Sequence, residues 1–147
     1  MTNARNDIRR LMIAIDQIDQ LYYRAVRQLG IKSNTFVLLY ALADGRSYSQ
    51  KQISEEWSVP RTTLNTIVQE CKELGYLELL PTGRKEKDIR LTESGKRWAD
   101  SIIGPIFAAE ERALPADFAR RLADRMEAAA AALARELTPV ASCKTRH

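Results

Sequence analysis

Histidine is almost absent from this 147-residue chain, which carries a single one, His147, at its last position. That removes the commonest general base near neutral pH and leaves no His-containing metal site to assemble. Cysteine is nearly as scarce: Cys71 and Cys143 lie far apart and are too few for a disulfide framework or a thiolate zinc site. No stretch approaches the roughly 18 apolar residues that a membrane span requires, so no membrane partner is expected. The opening residues, Met1 to Asp7, lack an apolar core followed by a small-residue cleavage site. No secretory leader is therefore expected, and a cytoplasmic location follows by default. A Gly-rich phosphate loop, a Ser–His pairing and a standout pair of carboxylates are missing as well. The expectation is a protein with no enzymatic activity, no metal and no cofactor.

What is present suits one soluble globular domain: hydrophobic residues make up 45% and charged residues 29%. The net charge is +4, a mild bias. It is compatible with a polyanionic partner only if the basic residues gather on one face.

The first thirty residues read as one long amphipathic helix. Ile8, Leu11, Met12, Ile15, Ile18, Tyr22, Ala25, Val26 and Leu29 recur at three- and four-residue spacing, and Gly30 supplies a left-handed stop. This stripe is longer than a small domain needs for its own core, so it packs either internally or on a second copy of the chain. Ser33-Asn34-Thr35 offers capping oxygens to a short apolar helix over Phe36 to Ala43. Ser49-Gln50-Lys51-Gln52 is a capping box, and the helix it opens should reach Trp57 before Ser58-Val59-Pro60 breaks it. A further helix, about Arg61 to Leu74, carries Leu64, Ile67, Val68, Cys71 and Leu74 on one face, and Gly75 ends it.

The period then changes. Tyr76 to Leu80 and Asp88 to Leu91 look like short strands joined by the charged turn Pro81 to Lys87, the one hairpin in the sequence. Thr92 caps another helix, which Pro105 should kink. A last helix restarts at Leu114-Pro115-Ala116-Asp117. Phe118, Leu122, Met126, Ala129, Leu133 and Leu137 form a heptad seam along it. Thr138-Pro139 should stop this helix and leave a flexible tail over residues 140–147. The fold class is mainly α with one small β-hairpin wing.

The middle of the chain, about Ser47 to Arg97, has the order helix–turn–helix–hairpin. The second helix of such a unit fits a major groove about 12 Å wide, and its first turn needs small polar side chains that reach base edges. Arg61-Thr62-Thr63-Leu64-Asn65-Thr66 meets that need: Leu64, Ile67 and Val68 turn inward, while Arg61, Thr62, Asn65, Thr66 and Gln69 can face outward. Arg pairs with guanine, Asn with adenine, and a Thr methyl meets the thymine methyl. A capped surface helix with ordinary polar residues is the plainer alternative. The hairpin adds a second signal: Arg84, Lys85, Lys87 and Arg90 stand against Glu86 and Asp88. Such a turn can lie along phosphates or enter a minor groove, or it can be a solvated charged turn.

The run Ser49 to Asn65 resembles the helix-turn-helix of the MarR (multiple antibiotic resistance regulator) family. Leu74-Gly75-Tyr76-Leu77 before the wing resembles it too, as does Ile89-Arg90-Leu91-Thr92-Glu93-Ser94-Gly95-Lys96 after it. The long first helix and the heptad-bearing last helix fit as well. The resemblance implies a homodimeric transcription regulator, a repressor, reading a near-palindromic operator in double-stranded DNA. It implies a dimerisation region at 1–32 and 93–139, and a DNA-binding lobe at 33–92. The recognition-helix residues carried over by position are Arg61, Thr62, Thr63, Asn65, Thr66 and Gln69. Ser49, Gln50 and Lys51 fall where the preceding helix meets phosphate, and Arg84, Lys85, Lys87 and Arg90 fall in the wing. The wing departs from the family pattern, with Gly83 where an Asp is common and Lys85 where an Arg is common. Lys is a point charge without a planar fork, so either Arg84 or Lys85 makes the tip contact.

The resemblance also implies a small aromatic or anionic effector, for which Tyr22, Tyr23, Tyr40, Tyr48, Trp57 and Trp98 are candidate lining. Plain core packing is the alternative for each of these aromatics. Redox sensing is not expected, since the first helix has no cysteine and Cys71 falls on an apolar helix face. A winged-helix module that binds protein and not DNA is the competing reading of the whole chain.

Overall fold

Thr2 and Gly30 set the limits of the first helix. The Thr2 hydroxyl accepts the Arg5 N–H at 3.2 Å. Gly30 takes the left-handed conformation, φ 74°, that closes the other end. The computed structural model describes the backbone of residues 2–143 and the side chains of residues 2–141. In chain order the elements are α1 (Asn3–Leu29), α2 (Ser33–Leu42), β1 (Tyr48–Ser49), α3 (Gln50–Trp57) and α4 (Arg61–Glu73). They continue with β2 (Leu77–Leu80), β3 (Asp88–Leu91), α5 (Glu93–Ala113) and α6 (Ala116–Cys143). Two compact units divide at Gly104–Pro105, inside α5.

The first unit holds the core. Leu38, Leu39 and Leu42 of α2, Ile53 of α3, Leu64 and Val68 of α4, Ile89 of β3 and Ile103 of α5 are all buried. Alternation explains the strand: Ile89 and Leu91 are buried, while Asp88 and Arg90 between them are not. The sheet has three strands, antiparallel, in the order β1-β3-β2. Tyr48 pairs with Ile89 and Ser49 with Asp88 on one side of β3; Leu77 to Leu80 pair with Leu91 to Asp88 on the other. The sequence shows the β2–β3 hairpin but not β1, because two residues carry no period and become a strand only when β3 lies beside them.

Four boundaries differ from the sequence expectation. The second helix starts at Ser33, so Ser33, Asn34 and Thr35 form its first turn, and Lys32 precedes it without a side-chain cap. Leu74 is exposed and not part of the inward face of α4, because it is the residue at which the helix closes. There the Gly75 N–H bonds the Lys72 carbonyl and the Tyr76 N–H bonds the Cys71 carbonyl, both at 2.9 Å, a paired closure that Gly75, at φ 77°, makes possible. Strand β2 begins at Leu77 and not Tyr76, whose N–H is spent on that closure. The last helix runs through Pro139 to Cys143 and does not stop at Thr138. A proline there costs only its own missing N–H and the clash with the preceding turn, and little helix follows to be disrupted. Residues 144–147 of the expected tail lie outside the described residues.

Much of α1 is apolar and uncovered: Ile8, Met12, Ile13, Ile18 and Leu21 are exposed, and Val26 is its buried residue. The second unit repeats the theme. Phe118, Leu122, Leu133 and Leu137 of the α6 seam are exposed. The first turn of α6 is acidic, with Asp117 holding Arg121 at 2.9 Å and also Arg120. An acid at this end matches the positive end of the helix dipole.

Candidate nucleic-acid interface

The interface starts from a cap. The Ser49 hydroxyl accepts the Gln52 N–H at 3.1 Å, and the Gln52 side chain accepts the Ser49 N–H at 2.9 Å. This is the capping box the sequence contains, and it opens α3. Ser58, in the left-handed region at φ 52°, closes α3. The Ser54 hydroxyl bonds the Val59 carbonyl at 2.6 Å, and Pro60 then leads into α4. Proline suits this position because the first N–H groups of a helix have no internal partner.

Along α4 the stripe Leu64, Ile67, Val68 and Cys71 is buried. Arg61, Thr62, Asn65, Thr66 and Gln69 are exposed, and Thr63 is half-buried. The Thr66 hydroxyl donates back to the Thr62 carbonyl at 3.1 Å, which leaves its methyl as the apolar contact it can offer. The outward set expected from the sequence thus shares one surface. Gln50 and Lys51 are at the start of α3, half-buried and exposed in turn. Ser49 is 7% exposed with its hydroxyl committed to the cap, so its side chain holds α3 in place and does not itself face solvent.

The wing is ordered by its own side chains. The Thr82 hydroxyl donates to the Glu86 carbonyl at 2.8 Å and accepts the Arg84 N–H at 3.2 Å. Gly83 supplies a left-handed turn, φ 74°. The four wing cations differ in their partners. Arg90 is on β3 and not at the tip, and it clamps Glu78 directly across the strand pair, with Nε and Nη2 at 2.9 and 2.6 Å from one oxygen. Arg84 faces Asp88 at 3.5 Å. Lys85 and Lys87 are exposed, with no carboxylate in ion-pair range among the described residues. Glu86 reaches the other way: its carboxylate meets Arg61 Nη2 at 3.1 Å and the Lys51 N–H at 3.3 Å. Nothing local in the sequence marks this contact, since its partners lie 25 and 35 residues away.

The candidate effector aromatics separate into three places. Tyr22, Tyr40 and Trp57 line one groove of about 530 Å³ together with Tyr23, Phe36 and Asp19. Tyr48 lies in a smaller cavity of about 210 Å³ with Tyr40, Trp57, Asp44 and Glu56. Trp98 belongs to neither and stacks on Tyr76, ring centres 4.3 Å apart. Asp44 accepts the Tyr48 hydroxyl and the Arg46 backbone N–H. Burial pushes its carboxyl pKa up, but those two bonds and the Arg46 charge outweigh it, and the net shift is downward. The same bond, followed by burial, raises Tyr48. Burial, and then the charge of Glu70, pushes the Cys71 thiol up, which holds it in the unreactive protonated form. No group of His, Cys, Asp and Glu among the described residues could hold a metal ion, and no described helix is long and apolar enough to cross a membrane.

The comparisons with known proteins agree with this geometry. The MarR family model matches residues 29–87. A MarR family regulator from Neisseria meningitidis is similar over 94% of this chain and 98% of its own, at 25% identity and TM-score 0.75. A point variant of MarR from E. coli, solved with operator DNA, is 20% identical with TM-score 0.56, over 87% of this chain and 99% of its own. CouR from Rhodococcus jostii RHA1, solved with p-coumaroyl-CoA, is 18% identical with TM-score 0.65, over 82% of this chain and 91% of its own. No curated protein matches the chain at a significant level.

Proposed function

We propose that this chain, a member of the MarR family of DNA-binding transcriptional regulators, reads a near-palindromic operator as a homodimer and represses the genes it controls. The observation that carries the proposal is the surface of α4. Arg61, Thr62, Asn65, Thr66 and Gln69 are exposed opposite a buried apolar stripe, at the diameter a major groove admits. Arg61 reads a guanine, Asn65 an adenine, and the Thr methyls meet thymine. Gln50 and Lys51 at the start of α3, with Lys85 and Lys87 on the wing, anchor phosphates. Residues 33–92 are then the DNA-binding lobe, and residues 1–32 and 93–139 the dimerisation region. The similar E. coli protein was solved on operator DNA, which supports the same use of this fold here.

Dimerisation gives the uncovered apolar faces of α1 and α6 a partner. Exposed apolar residues in such numbers on one helix mark an interface more often than free surface. The effector carries an aromatic ring, as does the p-coumaroyl-CoA of the similar CouR complex. Among the described residues, the lining of the groove beside Tyr22, Tyr40 and Trp57 includes Asp19 and no Lys or Arg, which favours a neutral ring over an anion.

Titrating the purified protein at several salt concentrations, against duplexes it selects from a random pool and against unselected duplexes, tests the reading. Enrichment of a two-fold-related sequence, with a steep salt slope, is the expected result. Failure to enrich any sequence, with a folded dimer confirmed, overturns it in favour of a protein-binding winged helix.

A further inference from the structure

The wing carries an acid on the face that meets a polyanion, and that acid is bonded to the residue best suited to read a base. Glu86 Oε1 accepts both from Arg61 Nη2 and from the backbone N–H of Lys51, the second residue of α3. The first turn of a helix leaves its N–H groups without internal partners and carries the positive end of the dipole. In α3 Ser49 takes the Gln52 N–H, and Glu86 takes the Lys51 N–H. The Glu86 main chain is fixed as well, through the Thr82 hydroxyl on its carbonyl. One carboxylate therefore ties the wing to the starts of both helices of the helix-turn-helix.

We propose that Glu86 is a specificity-determining positioning residue: it holds Arg61 in register for a base and denies Arg61 and the start of α3 to a non-specific phosphate. The inference rests on the reading of Arg61 given above. Arg has five N–H donors in a rigid plane, and spending one on Glu86 leaves a fork for O6 and N7 of guanine. An arginine tied at one edge has fewer orientations to lose when it meets its base. A phosphate oxygen competes for the donors that Glu86 occupies, namely Arg61 Nη2 and the Lys51 N–H, and is repelled by the carboxylate. Non-specific DNA, bound almost wholly through phosphate, is therefore penalised. A correctly placed guanine is not.

The test is a double-mutant cycle on DNA binding with wild type, Glu86→Gln, Arg61→Ala and the double variant. The probes are the best duplex selected from a random pool by the wild type and an unselected duplex of equal length. Circular dichroism confirms each fold, and Glu86→Ala repeats the measurement should the glutamine keep the Arg61 bond. Removing the carboxylate is expected to tighten unselected binding several-fold and steepen its salt slope, so that the selected-to-unselected ratio falls several-fold. In the Arg61→Ala background the same change is expected to lower that ratio by clearly less, through the Lys51 N–H alone. A ratio unchanged by both Glu86 variants, or one that falls equally with and without Arg61, overturns the inference while leaving the reading of Arg61 intact. The reading itself fails, and the inference with it, if Arg61→Ala alone leaves selected-duplex affinity and base preference untouched.

Discussion

Gly95 lies against the main chain of Tyr76: a Cβ placed on it would stand 2.0 Å from the Tyr76 carbonyl oxygen, which already accepts the Thr92 N–H at 3.0 Å. No side chain can move aside there, because the obstacle is backbone. The Thr92 hydroxyl caps Gly95 at 3.1 Å and bonds the Gly75 carbonyl at 2.6 Å, so the start of α5 is tied to the turn after α4. Gly95→Ala is expected to cost about 1–3 kcal/mol or more, as overpacking of a fixed site does. Urea denaturation measures it, and an unchanged midpoint would show that this contact is looser than described.

The Ser49 hydroxyl is committed to the capping box, and we propose that it makes no phosphate contact. Ser49→Ala should lower stability by about 0.5–2 kcal/mol through loss of the capping box. It should leave the salt dependence of DNA binding as it was. A salt slope reduced by about one in a variant of full stability would assign the hydroxyl to phosphate instead.

The two candidate tip residues separate by charge pairing. Arg84 is already partly neutralised by Asp88 at 3.5 Å, whereas Lys85 has no such neighbour among the described residues. Lys85→Ala should therefore lower the slope of log affinity against log salt by about one, and Arg84→Ala by less. The opposite order, from titrations of one duplex over a range of salt, would place Arg84 at the phosphate.

Tyr48 sets part of the acid titration of Asp44. The folded carboxyl titrates below its ordinary value, despite the opposing effect of burial, because the Tyr48 hydroxyl and the Arg46 N–H and charge favour the ionised form. A depressed folded pKa contributes stability that is fully present above the unfolded value, about 3.9. That stability is lost as pH falls through the folded value. Tyr48→Phe should move the Asp44 midpoint upward in an NMR titration of its carboxyl carbon. A midpoint that stays put would mean that Arg46 alone carries the shift.

Cys71 is buried, and its thiol is held protonated by that burial. In a Cys143→Ser background, iodoacetamide at neutral pH should label nothing in the folded protein and one thiol after urea is added. Rapid labelling without denaturant would reopen a redox role for this position.

Local chemistry was legible in the chain. The capping box at Ser49 and Gln52, the stops at Gly30 and Gly75, and the inward stripe of α4 each depend on groups within one or two turns of each other, so spacing alone fixes them. With the α4 stripe known, the outward set from Arg61 to Gln69 follows. Tertiary structure decided the rest. Strand β1 exists because β3 passes beside Tyr48 and Ser49. Trp98 leaves the aromatic groove because Tyr76 offers its ring. Arg90 faces Glu78 because the β2–β3 register sets them opposite, and Glu86 reaches Arg61 because the wing folds back over the starts of two helices. Each of these contacts joins groups 12 or more residues apart. Residue type and spacing say which partners such groups could take, but only the path of the chain brings one of them within bonding distance.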